Sequence, residues 1–119
     1  MKTLGMSFVA LALSALPTNA QDEKYSRGDY GMGHAQYHRD FYSQWKQPSN
    51  GVSCCNDADC RPTQSRIKDG QLQAMVNGEW WDVPAEAVLP ETVPTPLDLQ
   101  DHVCANWGRV LCFKAGPGV

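Results

Sequence analysis

Hydrophobic and polar residues alternate most regularly between Thr63 and Val83. Asp69-Gly70 and Asn77-Gly78 interrupt the pattern, and both dipeptides favour the two-residue turn of a β-hairpin. They divide the stretch into three strands, about Thr63–Lys68, Gln71–Val76 and Glu79–Val83. If both loops hold two residues, Ile67 faces Leu72, Leu72 faces Val83, Ser65 faces Ala74, and Ala74 faces Trp81. Side chains alternate along a strand, so all of these share one side of the sheet. The other side collects Arg66, Lys68, Gln71, Gln73, Met75, Trp80 and Asp82. Apart from Met75 and Trp80 it is polar.

A different period precedes the sheet. His34, Tyr37, His38, Phe41 and Trp45 recur at three- and four-residue steps, which predicts one face of a helix over 34–45. Pro48 closes it, because the residue before a proline resists helical geometry. Ser49-Asn50-Gly51 reads as a turn. After the strands, "PAEAVLP" suggests a short helical turn, and the prolines of "PETVPTP" make a stiff connection. "HVCANWGRVLCF" predicts a hairpin turning at Asn106 to Gly108, with a tail from 114 to 119. The chain has no internal repeats.

The N-terminus changes the picture. Met1-Lys2-Thr3 precedes an uncharged run, Leu4 to Leu16, too short to span a bilayer but suited to a signal-peptide core. Pro17 follows, and the small residues up to Ala20 suggest cleavage after it, giving a signal peptide over 1–20. The polar, glycine-rich composition of 21–33 predicts a flexible arm at the start of the mature chain, followed by a single domain over 34–113. It carries nine basic and thirteen acidic residues, a net charge of −4 with histidine neutral. That excludes the basic footprint of a nucleic-acid binder and a basic membrane-surface helix. No membrane span remains after cleavage. The expected location is periplasmic or secreted, where disulfides form readily and help a small domain with a modest core.

Five cysteines remain: Cys54, Cys55, Cys60, Cys104 and Cys112. Adjacent cysteines rarely bond each other and more often reach different partners. Cys60 can close a tight loop with Cys54 or Cys55. Cys104 and Cys112 stand symmetrically about Gly108, so they can pair within the hairpin or each reach back to the cluster. Two bonds among five cysteines can be drawn in fifteen ways, and the spacing does not choose between them.

The odd cysteine raises two other chemistries. His34 and His38 are four residues apart, so both rings can reach one ion on a helix. His102, two residues before Cys104 on a strand, is a further candidate ligand, with Asp57, Asp59 and Cys60 as oxygen and sulfur donors. Such a mixed set suits zinc or copper. Ala35 stands where a zinc protease needs glutamate, there is no Cys-x-x-Cys, and "NDADC" lacks the rest of a calcium loop. Thiol redox chemistry lacks its usual motif. No nucleophile motif suggests hydrolysis. Trp80 and Met75, opposed on the polar face, are either covered by the chain itself or form a contact surface.

"SCCNDADCRPT", "DGQLQAMVNGEWWDVPAEAVLP" and "HVCANWGRVLCF" together resemble a group of small exported proteins, mainly alphaproteobacterial, with a Cys-Cys-x4-Cys cluster and a C-terminal His-x-Cys…Cys-Phe. The resemblance covers about Gly33 to Phe113. It implies export and a single domain, and carries no activity or site residues. The expectation is an α+β domain: an N-terminal helix packed on a small antiparallel β-meander, with disulfides tying the cluster to the C-terminal hairpin. The function expected is non-enzymatic binding of a cell-envelope protein or ligand, and the alternative is envelope metal binding with no other cofactor.

Overall fold

The computed structural model describes residues 27–57 and 59–117. The expected signal peptide and the first six residues of the expected arm, 21–26, lie outside these. Six strands form two three-stranded antiparallel sheets. β1 (Cys60–Thr63), β5 (Asp101–Asn106) and β6 (Arg109–Lys114) make the first, in the order β1-β5-β6. β2 (Ser65–Lys68), β3 (Gln71–Val76) and β4 (Glu79–Asp82) make the second, a meander.

The meander has the register its turns dictate. Ser65 pairs with Ala74, Ile67 with Leu72, and Ala74 with Trp81. The Val83 amide continues the ladder by donating to the Leu72 carbonyl at 2.9 Å. Asp69, Gly70, Asn77 and Gly78 all have positive φ, the geometry of a type I′ turn, whose twist matches that of the strands it joins. Ala74, Val76 and Val83 are buried on the expected face. Ile67 shares that face but is 67% exposed, because it sits on β2 at the far end of the hairpin, beyond the cluster that Leu72 and Trp81 flank.

The first strand differs from expectation. The chain leaves one sheet and enters the other at Gln64, so the segment expected to begin at Thr63 is split and a strand precedes it. Pro62 lies inside β1, opposite His102. A proline cannot donate to a ladder, and β1 tolerates one because it is an edge strand.

The helix is the main correction. Within the expected span 34–45 only His34–Tyr37 is α-helical (α1), and Tyr42–Gln44 is a separate 3-10 turn. Between them the Ser43 amide donates to the His38 carbonyl, five residues back, at 2.8 Å. This widened turn rotates the following residues, so that Tyr42 and Trp45 enter the core while Tyr37 and Phe41 stay partly exposed. The helical spacing had placed Tyr37 and Phe41 on the buried face and left Tyr42 off it. The short helix also lies against β1 rather than on the meander, for His34 Nδ1 donates to the Cys60 carbonyl there. The domain is thus mainly antiparallel β.

Two cores result. Apolar residues on and beside both sheets, among them Val76, Val83, Val103, Val110 and Phe113, form one. The other holds Tyr42, Trp45, Leu89, Leu111 and all five cysteines. Two disulfides run through it, Cys54–Cys112 and Cys60–Cys104. They tie the cluster to the C-terminal hairpin, as expected. Cys104 and Cys112 are register partners across that hairpin, yet each bonds a cysteine of the cluster. No helix among the described residues is long and apolar enough to cross a membrane.

Candidate metal centre

The two disulfides leave Cys55 as the free thiol. Its neighbour Cys54 is drawn to Cys112, and the chain must then turn before Cys60 enters β1. Asp59 shapes this turn. Its buried carboxylate accepts from the Asn56 amide at 3.2 Å and from the Asn106 side chain at 2.9 Å. Asp59 was a candidate ligand, but it is a structural brace. Beside it Arg61 is also buried, with its guanidinium donating to the carbonyls of Gly28, Asp59 and Ala105. Burial lowers the Arg61 pKa, and the Asp59 charge opposes that shift. Gly28 and Arg27 are pinned further by the β3–β4 turn, where the amides of Asn77 and Gly78 donate to their carbonyls, each at 2.9 Å.

The thiol produced by this turn faces α1. Cys55 Sγ is 3.7 Å from His34 Nε2 and 3.7 Å from His38 Nδ1. One potential ligand atom from each of the three residues lies within 4.8 Å of the others. For metal–sulfur and metal–nitrogen bonds of about 2.3 and 2.0–2.1 Å, a sulfur and a nitrogen on one tetrahedral ion stand about 3.6 Å apart. The observed sulfur–nitrogen separations therefore match shared coordination.

The histidine orientation supports the same use. His34 Nδ1 lies 2.8 Å from the Cys60 carbonyl. A carbonyl only accepts, so Nδ1 carries the proton and Nε2 is the nitrogen left free to bind, with Cys55 Sγ beside the ring at 3.7 Å from Nε2 and 4.0 Å from Nδ1. A backbone carbonyl on the far nitrogen is the usual way a protein fixes the tautomer of a metal-binding histidine. The two imidazole centroids lie 4.8 Å apart, with the rings tilted 39° to each other. Cys55 is 8% exposed, and its thiol donates to the Asp57 carbonyl at 3.1 Å. Burial raises the thiol pKa, against hydrogen bonding with the backbone of Cys60, Asp59 and Asp57. The group opens into a depression lined by Ala35, Arg39, Asn56 and Asp57.

The other candidates are placed elsewhere. His102 is fully buried, with both ring nitrogens engaged. Nε2 donates to Asp98 at 3.1 Å, and Nδ1 accepts from the Tyr42 hydroxyl at 2.7 Å. This pairing needs a neutral ring. Burial lowers the His102 pKa despite Asp98, and raises that of Tyr42 so that it stays a donor. His102 is therefore a core residue outside the three-ligand group. Cys60 and Cys104 are spent in a disulfide. The Asp57 carboxylate accepts from the Tyr30 hydroxyl at 3.4 Å, on the rim.

Met75 and Trp80 are opposed as expected. Trp80 is half-buried, with the Arg66 guanidinium 4.2 Å above its ring.

The member of the group that spacing did not single out is Cys55. Its signal was indirect: once two disulfides form, one cysteine must remain, and the adjacent pair cannot share a partner. The chain matches no family model, no curated protein and no solved structure.

Proposed function

We propose that this protein is an exported metal-binding domain that holds one zinc or copper ion through His34 Nε2, His38 Nδ1 and Cys55 Sγ. The observation that carries the reading is the convergence of the one unpaired thiol with two imidazole nitrogens, each 3.7 Å away. A thiolate with two imidazoles suits either ion by donor chemistry. The disulfides account for the other four cysteines, so the thiol is held apart from competing bonds. Its burial shields it from solvent oxidants, which act on exposed thiolates. The ligands stand on a one-turn helix and a braced loop, and the protein supplies position and charge rather than a catalytic group. Export is supported by the apolar N-terminal run and by disulfides, which persist in oxidising compartments.

Metal analysis of purified chain incubated with zinc or copper and then desalted tests this. The expected result is one ion per chain in the wild type and none in His34→Ala, His38→Ala or Cys55→Ser. Wild-type protein that retains no ion, or variants that retain it undiminished, would refute the assignment.

A further inference from the structure

Three protein donors do not complete a zinc coordination sphere, which takes four. Among the described residues no fourth histidine, cysteine or carboxylate joins the group. The Asp59 carboxylate is turned to Asn56 and Asn106, and that of Asp57 to Tyr30. The remaining direction is not walled off either. The three ligands line one side of the open depression whose other lining residues include Ala35, a side chain of one carbon, and Arg39.

Charge says what fits there. A divalent ion with one thiolate and two neutral imidazoles carries a net charge of +1. The rim carries both signs of charge, Arg39 paired with Asp40 at 3.3 Å and the carboxylate of Asp57, so the net charge of the centre itself decides.

Resting on the metal-binding reading above, we propose that the bound ion keeps one coordination position open to solvent and takes a small monodentate anion there. One added negative charge neutralises the centre, and the depression leaves room for it beside Ala35. The protein would thus present its ion to an external anionic donor rather than enclose it.

Cobalt(II) in place of zinc makes both parts visible, because it reports thiolate ligation in the near ultraviolet and coordination geometry in the visible. Cobalt-loaded chain should show a thiolate-to-cobalt charge-transfer band that is missing from Cys55→Ser. Azide should then shift the visible bands along a saturable curve, with the charge-transfer band retained. An intact charge-transfer band with visible bands indifferent to azide would overturn the open position and leave the three-ligand centre standing. Absence of the charge-transfer band in wild-type protein would overturn the centre, and the open position with it.

Discussion

The two cores of this domain are built by different means. In the meander, neighbouring residues do the work. Asp-Gly and Asn-Gly set two turns, the turns set the register, and the alternation of side chains sets which residues are buried. In the cystine half, partners come from far along the chain. Cys54 and Cys112 are 58 residues apart, Cys60 and Cys104 are 44 apart, and the Tyr42 hydroxyl meets a histidine 60 residues on. Short-range chemistry makes a regular sheet with a polar outer face. Cys60–Cys104 joins paired strands, whereas Cys54–Cys112 holds irregular backbone to a strand, and irregular backbone is what brings a thiol to two imidazoles here. The functional candidate lies in the half that regular secondary structure does not organise.

The strongest way to break this contrast is to remove a tie. Closing loops of 58 and 44 residues restricts the unfolded chain by about 4 kcal/mol each at 25 °C. Replacing Cys54 and Cys112 together with alanine should lower the unfolding free energy by about that amount in a urea titration. Hydrogen exchange should rise first in residues 34–57, while the amides of β3 hold their protection longest. Equal loss of protection in both halves would show that they are not built separately.

A buried polar contact offers a second probe of the cystine half. Tyr42→Phe removes the hydroxyl that donates to His102 Nδ1 and should cost about 1–3 kcal/mol. Acid should act on the same pair. The His102 pKa is lowered by burial from its ordinary 6.5, so the unfolded chain takes up a proton at higher pH than the native one. Stability contributed by the neutral ring is therefore complete above about pH 6.5 and is lost as pH falls below it, by up to about 1.4 kcal/mol per pH unit. Thermal melts between pH 7.5 and 5 should show this decline, and His102→Gln should flatten it. A wild-type melting temperature that rises on acidification would contradict the neutral assignment.

The meander's outer face should respond least. Trp80 is half-buried and capped by Arg66, so Trp80→Ala should cost about 1–2 kcal/mol, less than a core tryptophan. Metal content should not change. A loss of 4 kcal/mol or more by chemical denaturation would place Trp80 in a core and blur the difference between the two faces.

What the sequence made legible follows the same division. The hairpins were readable because Asp69-Gly70 and Asn77-Gly78 act within four residues. The strand at Cys60–Thr63 was not, because Pro62 argues against a strand unless the strand is known to lie at an edge. The helix over 34–45 was overread. A 3.6-residue period assumes that one helix carries all its apolar residues to one core, whereas here His34 and His38 turn towards Cys55 and Tyr42 turns towards His102. Two of the three candidate ligands were visible in the spacing of His34 and His38. The third depended on which cysteines paired, and His102 lies outside the group because both its nitrogens are already used, which sequence distance hides.

Alkylation of cysteine tests the central claim most directly, since it reads both the pairing and the site. Denatured, unreduced protein should take one label per chain, on the peptide containing Cys55. In the folded chain, equimolar zinc should slow labelling at Cys55, and His38→Ala should remove that protection. A label on Cys54, Cys60, Cys104 or Cys112, or a Cys55 rate that zinc leaves unchanged, would contradict the account.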